Sequence, residues 1–206
     1  MKILKNHPWL IFLVGILVGL VIFWIYSGAK SNNIEPENKE DTLVTFDIKL
    51  SDHFLGSFNA DNTIVVFNDY TCPYCKEYAL TLEEFAKNNK NTRIVWKHFP
   101  LDQNDLSASL SAECADEQGL FWLYSSDLYS SEEEFNSYLY LDIAKNLDLD
   151  LEQFTNCLES QKYASKVKAD YHLGIIKGVI GSPATFINGT YVAGAIPLEG
   201  LEELIK

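Results

Sequence analysis

The chain opens on an apolar run. From Trp9 to Tyr26 no side chain carries a charge for eighteen residues, and at helical rise such a run spans ~27 Å, close to the hydrocarbon thickness of a bilayer. It predicts one N-terminal transmembrane helix over residues 9–26, with Trp9, Trp24 and Tyr26 at its ends, where amphipathic rings favour the headgroup zone. Residues 31–41 are polar and acidic with one proline and nothing to bury, the pattern of a solvated tether. Asn62 to Asn68 is a short β-branched apolar run of the kind buried on both faces of a sheet. Glu77 to Asn89 carries Tyr78, Leu82, Phe85 and Ala86 at helical spacing, and Arg93 to Phe99 returns to strand character before Pro100. Stripes at three- and four-residue spacing follow, Leu106, Leu110 and Cys114, then Leu147, Leu151, Phe154 and Leu158, which predict several helices. Two apolar runs then flank Asn188-Gly189, a strong hairpin signal, and a last helix is expected from about Leu198 to Ile205. No internal repeat is visible.

Charge gives this pattern an orientation. Lys2 and Lys5 precede the apolar run without any acid, so the positive-inside bias places residues 1–8 in the cytoplasm and the bulk of the chain outside it. A cleaved signal peptide is the alternative, since Ser27-Gly28-Ala29 offers small residues for processing, but the apolar run is longer than the usual signal core. The expectation is a single-pass protein of the cell membrane: anchor 9–26, linker 27–41, and one extracytoplasmic domain 42–206 with a helical insertion at about 102–172. A net charge of -13 over 206 residues repels phosphate backbones and argues against nucleic acid as a partner.

Cysteines carry the chemistry. Four in the whole chain are too few for a disulfide-built scaffold, and an exported protein keeps cysteines that either pair or react. Cys72-Pro73-Tyr74-Cys75 puts two of them three apart at the opening of a helix, with the first open to solvent and the second covered by the turn. The first-turn amides and the positive helix end should stabilise a thiolate on Cys72 and lower its pKa below ~8.5. Pro73 at the first helical position costs no hydrogen bond, and Tyr74 adds no charge. A disulfide over so small a loop would stabilise little, which suits exchange better than architecture. Zinc would need two further ligands, yet there is no second CxxC, and His7, His53, His98 and His172 show no ligand spacing to this one. No metal and no other cofactor is therefore expected. Cys114 and Cys157, 43 positions apart on two insertion helices, are expected to form a structural disulfide, the alternative being two unrelated buried cysteines. Phe121, Trp122, Tyr124, Tyr129, Tyr138 and Tyr140 read as the core of the insertion, and His98 as a surface or satisfied residue, unless it approaches Cys72.

Three stretches together carry a family resemblance. Phe67-Asn68-Asp69-Tyr70-Thr71-Cys72-Pro73-Tyr74-Cys75, Cys114-Ala115-Asp116-Glu117-Gln118-Gly119-Leu120-Phe121-Trp122, and Gly181-Ser182-Pro183-Ala184-Thr185-Phe186-Ile187-Asn188-Gly189 resemble, in order, the DsbA-like branch of the thioredoxin superfamily. The resemblance implies an α/β thioredoxin fold with a helical insertion. It also implies a cis proline at Pro183 lying against the CxxC, with Ser182 contacting substrate backbone, Cys72 as the exchanging sulfur and Cys75 as the resolving one. It implies a dithiol oxidase that passes its disulfide to reduced exported polypeptides and is reoxidised by a quinone-linked membrane partner. A reductase or isomerase of the same fold, or a non-catalytic metal- or polypeptide-binding module, are the alternatives. Two positions depart from the family pattern. Val66 stands six residues before the first cysteine, where many thioredoxin-like domains hold an acid; Asp69 is the nearest acid and reads as a turn residue. Ser182 occupies a position more often held by Val or Thr.

Overall fold

The computed structural model describes residues 16–24 and 43–205. They fall in two units, divided at residues 40 and 41, each described here by itself. In the first, residues 16–24 form an exposed helix, α1. Among the described residues no helix is long and apolar enough to cross a membrane; the rest of the expected anchor 9–26, the segment 1–8 and the linker 27–41 lie outside them.

The second unit is built on a five-stranded sheet of order β1-β3-β2-β4-β5. Its strands are β1 (His53–Leu55), β2 (Asn62–Asn68), β3 (Thr92–His98), β4 (Ala184–Ile187) and β5 (Thr190–Ala193). β2 and β3 run parallel, in register from Asn62 opposite Thr92 to Asn68 opposite His98, and the crossover between them is α2 (Pro73–Asn88). β1, β4 and β5 pair antiparallel with their neighbours. The run of β2 is apolar throughout because both faces of the sheet are covered. Ile64 and Val66 point into one core with Tyr78, Leu82 and Phe85 of α2, while Val65 and Phe67 point into a second with Val95, Phe99 and Phe186.

Between β3 and β4 stand five helices: α3 (Gln103–Asp116), α4 (Phe121–Ser130), α5 (Ser137–Asn146), α6 (Leu151–Glu159) and α7 (Ala164–Ile176). Asp102, Asn136 and Asp150 cap α3, α5 and α6, each side chain accepting two first-turn N–H bonds. Buried Phe121, Tyr124, Tyr140 and Phe154 join the core under α2, whereas α7 covers the opposite face. Gly174 lets α7 close on that face, because a Cβ there would sit 2.7 Å from the Phe99 ring. Tyr138 corrects the sequence reading: it is 74% exposed, since it lies in the first turn of α5 on the side away from Tyr140. Leu151, at the start of α6, is likewise exposed.

Asn188 and Gly189 take positive φ, 48° and 89°, and make the two-residue turn between β4 and β5. The segment after residue 43 runs against this turn, with Val44 N–H bonded to Gly189 O at 2.9 Å and Val44, Phe46 and Ile48 packed on the second core. The chain ends on α8 (Leu198–Leu204), which buries Leu201 in the core shared with α2.

Cys114 of α3 and Cys157 of α6 are joined by a disulfide, with Cα atoms 5.8 Å apart. Closing a loop of 43 residues removes unfolded-state entropy worth ~4 kcal/mol. The double variant Cys114→Ala/Cys157→Ala should therefore lose about 4 kcal/mol of unfolding free energy in guanidinium titrations. A loss below about 1 kcal/mol would show that the bridge holds nothing.

Candidate functional site

The site forms where β2 ends and α2 begins. Cys72 is the N-cap of α2, with extended backbone (φ -83°, ψ 119°), and Pro73 opens the helix. The Cys72 carbonyl accepts from the N–H groups of Cys75 at 3.0 Å and Lys76 at 3.2 Å, so the first turn is wound tightly around the cysteine pair. Both sulfurs are thiols, Cys72 partly exposed and Cys75 fully buried. Tyr74 stands out of the helix head, 67% exposed.

Residues 110 positions later complete the site. The Ser182–Pro183 peptide bond is cis, and Cys72 Sγ lies 3.5 Å from Ser182 O. β4 follows at Ala184 and pairs with β2, Ala184 opposite Phe67, so adjoining ends of two interior strands deliver the cysteine turn and the proline loop. Cys72, Pro73, Tyr74, Cys75, Ser182 and Pro183 are thus brought together, while Cys114 and Cys157 sit apart in the helical insertion.

Burial pushes the Cys75 thiol far up. The backbone of Asp69 opposes this, and a charge on Cys72 adds to it. A buried sulfur of this kind is a poor thiolate and must carry a proton whenever it is not in a disulfide. The exposed sulfur is the one a second molecule can reach.

Val66, where an acid was sought, is an ordinary core residue. Asp69 Oδ1 accepts from the N–H and hydroxyl of Thr71, both at 2.7 Å, which is the turn role read from the sequence. His98 corrects the surface alternative: it is 1% exposed and donates from Nε2 to Glu113 Oε1 at 2.8 Å. His53 Nε2 reaches the same oxygen at 2.9 Å, and Lys166 donates to Glu113 Oε2 at 2.6 Å. Burial would raise Glu113, but hydrogen bonds from His53 and His98 and their charges hold it well below the usual carboxylate range. His53, His98 and Glu113 have ligand atoms within 4.8 Å of one another, yet the Lys166 ammonium already serves as the cation on this carboxylate. Sequence reasoning missed the cluster because its members lie on four separate elements, β1, β3, α3 and α7, with no spacing to announce it.

Residues 49–206 match the thioredoxin family. The chain belongs to that family. A probable disulfide bond formation protein D from Bacillus anthracis is 26% identical over 189 residues, covering 84% of this chain and 82% of that protein. A Na(+)/H(+) antiporter, NhaA 3, of Salinispora tropica is 31% identical over 157 residues, which is 75% of this chain but 24% of the antiporter. The chain thus spans about a quarter of the length of the antiporter relatives it matches. Among solved structures, a thioredoxin-like oxidoreductase from Silicibacter pomeroyi superposes with a TM-score of 0.71 at 25% identity, covering 76% of this chain and 91% of that one. The thiol-disulfide exchange protein alpha-DsbA2 from Wolbachia pipientis shares the fold at a TM-score of 0.68 and 24% identity, covering 76% and 87%. The likeness to these structures is one of fold, and the Cys72–Cys75 pair of this chain is a dithiol at the head of a helix beside a cis proline.

Proposed function

We propose that this thioredoxin-family protein is a membrane-anchored dithiol oxidase that donates the Cys72–Cys75 disulfide to reduced exported polypeptides. The observation that carries the reading is the pairing of an accessible Cys72 with a fully buried Cys75, beside the Ser182 carbonyl at 3.5 Å. A substrate thiolate attacks Cys72 Sγ, a mixed disulfide forms, and Cys75 is released into the buried position as a thiol. A second substrate thiol resolves the mixed disulfide, leaving the substrate oxidised and the enzyme as a dithiol. A quinone-linked membrane partner then restores the Cys72–Cys75 disulfide.

Ser182 and Pro183 form the wall against which substrate backbone lies. Exposed Tyr74, and Ile180 at 90% exposure two residues before Ser182, offer apolar surface to an unfolded chain. The apolar run 9–26 and the lysines before it support a single-pass anchor with the catalytic domain outside the cytoplasm.

Direction is set by reduction potential. Equilibration of the Cys72–Cys75 couple against glutathione buffers should give a value above about -200 mV, toward the strongly oxidising end of this fold. A value near -270 mV, that of thioredoxin, would overturn the oxidase direction in favour of a reductase.

A further inference from the structure

Helix α2 carries Cys72 at its head and lies against the sheet by apolar contact, through Leu82, Phe85 and their neighbours. Contact of that kind is non-directional and does not by itself fix how far a helix is turned about its own axis. One directional tie crosses this interface. Thr185 Oγ1 of β4 donates to the Tyr78 hydroxyl of α2 at 3.1 Å, and among the described residues this is the one side-chain hydrogen bond between α2 and the sheet. Tyr78 is 1% exposed and Thr185 0%, so water does not compete for either hydroxyl. Burial pushes the Tyr78 phenol up to about 12, with the Thr185 hydrogen bond opposing it, and the pair is therefore uncharged throughout the neutral range.

These two residues stand beside the parts that meet at the site. Tyr78 follows Cys75 by three positions on the buried face of α2, so its phenol is a handle on the rotation of the helix that carries Cys72. Thr185 follows Pro183 by two positions. Alternation along β4 turns Thr185 and Ile187 toward α2, while Ala184 and Phe186 face the second core. Pairing of Thr185 with Val66 and of Ala184 with Phe67 holds β4 within the sheet, but that ladder does not reach α2. The loop from Ile180 to Pro183 has little else to hold it. Among the described residues its hydrogen bonds are Gly194 N–H to Pro183 O at 3.0 Å and Cys72 Sγ to Ser182 O at 3.5 Å, and the Ser182 hydroxyl has no partner.

We propose that Tyr78 and Thr185 are the positioning pair of the exchange site: their hydrogen bond sets the Ser182–Pro183 wall against the cysteine turn, and so governs how well a polypeptide thiol, as distinct from a free small thiol, is presented to Cys72. The inference rests on the exchange reading given above. In the step concerned, a substrate thiolate attacks Cys72 Sγ and a new sulfur–sulfur bond forms there. The Cys72–Cys75 bond breaks, its electron pair goes to Cys75, and that sulfur takes a proton from solvent. A polypeptide whose backbone rests on Ser182 and Pro183 is aimed by them, so a wall displaced relative to Cys72 misaims its sulfur. A small thiol has no backbone to rest there and is not affected.

The test oxidises the full-length chain with glutathione disulfide, removes the reagent, and follows loss of the Cys72–Cys75 disulfide under an excess of either of two thiols. One is a blocked hexapeptide with a central cysteine; the other is 2-mercaptoethanol. Tyr78→Phe and Thr185→Val each leave one buried hydroxyl unpaired, whereas the double variant removes both and strands neither. The double variant should react with the peptide about tenfold more slowly than wild type, while its rate with 2-mercaptoethanol stays within about twofold. Thr185→Ser keeps the donor and should match wild type with both thiols. A double variant with the wild-type rate on the peptide would overturn the positioning role and leave the exchange reading standing. Equal slowing with both thiols would also overturn it, since that is the mark of a cysteine turn loosened as a whole. Wild type that reacts with neither thiol would overturn the exchange reading, and this inference with it.

Discussion

Cys72→Ser should abolish disulfide exchange, lowering turnover of a reduced, unfolded substrate protein by about a thousandfold or more. A serine hydroxyl in place of the thiol is neither a nucleophile at neutral pH nor able to form the disulfide that the reaction transfers. Cys75, fully buried and held as a thiol, cannot substitute for it, because a second molecule does not reach a side chain with no exposed surface. The companion variant Cys75→Ser has the opposite signature. Mixed with glutathione disulfide, its accessible Cys72 still exchanges and releases one glutathione as thiolate, but no resolving sulfur remains, so the Cys72–glutathione mixed disulfide should accumulate and be visible in the intact mass. Exchange by Cys72→Ser within tenfold of wild type would remove the assignment of the two sulfurs, and equal behaviour of the two variants would remove the distinction between them. Both substitutions exchange sulfur for oxygen at one atom, so an unfolded protein is not the expected cause of either result.

Glu113→Gln should cost about 3 kcal/mol or more at pH 7, because it removes the buried anion at the centre of the cluster and leaves Lys166 without its counter-charge. His53 and His98 lose the oxygen they share, and one of them must then face an amide donor. The pH dependence has a definite sign. The Glu113 carboxyl is held in the folded state below its unfolded value of about 4.3, so its contribution is complete above roughly pH 4.5 and is lost as pH falls toward the folded value. Urea unfolding should therefore show the full gap between wild type and Glu113→Gln at pH 7 and a narrower one at pH 3. A gap unchanged between the two pH values would mean that the carboxylate's charge is not what the cluster requires. The cluster joins β1, β3, α3 and α7, so its loss should loosen the insertion against the sheet, below the site rather than within it.

Local pattern was enough for several elements. A continuous β-branched run marked β2, helical spacing of Tyr78, Leu82 and Phe85 marked α2, and Asn188-Gly189 marked the β4–β5 turn, because each depends on residues within one or two turns of chain. β1 was not legible: three residues, His53 to Leu55, are too few to show a period, and their strand state comes from pairing with Ile94 to Trp96. The segment holding Val44, Phe46 and Ile48 does alternate, but its place is set by contact with the β4–β5 turn.

The same division runs through the site. By itself the sequence picked out the cysteine pair, since Cys72, Pro73 and Cys75 lie within one helical turn, and it singled out Ser182-Pro183 as their counterpart through a family resemblance. Only the tertiary structure decided what surrounds them. The Ser182 carbonyl beside Cys72, the burial that raises the Cys75 thiol, and the Asp105 carboxyl of α3 on the Tyr70 N–H all depend on distances across the fold. Proton affinity is set by desolvation and by charges a few ångströms away. In this protein some of the groups around the site come from distant parts of the chain, as Asp105 of α3 does to the Tyr70 N–H 35 positions away, which no local spacing can reveal.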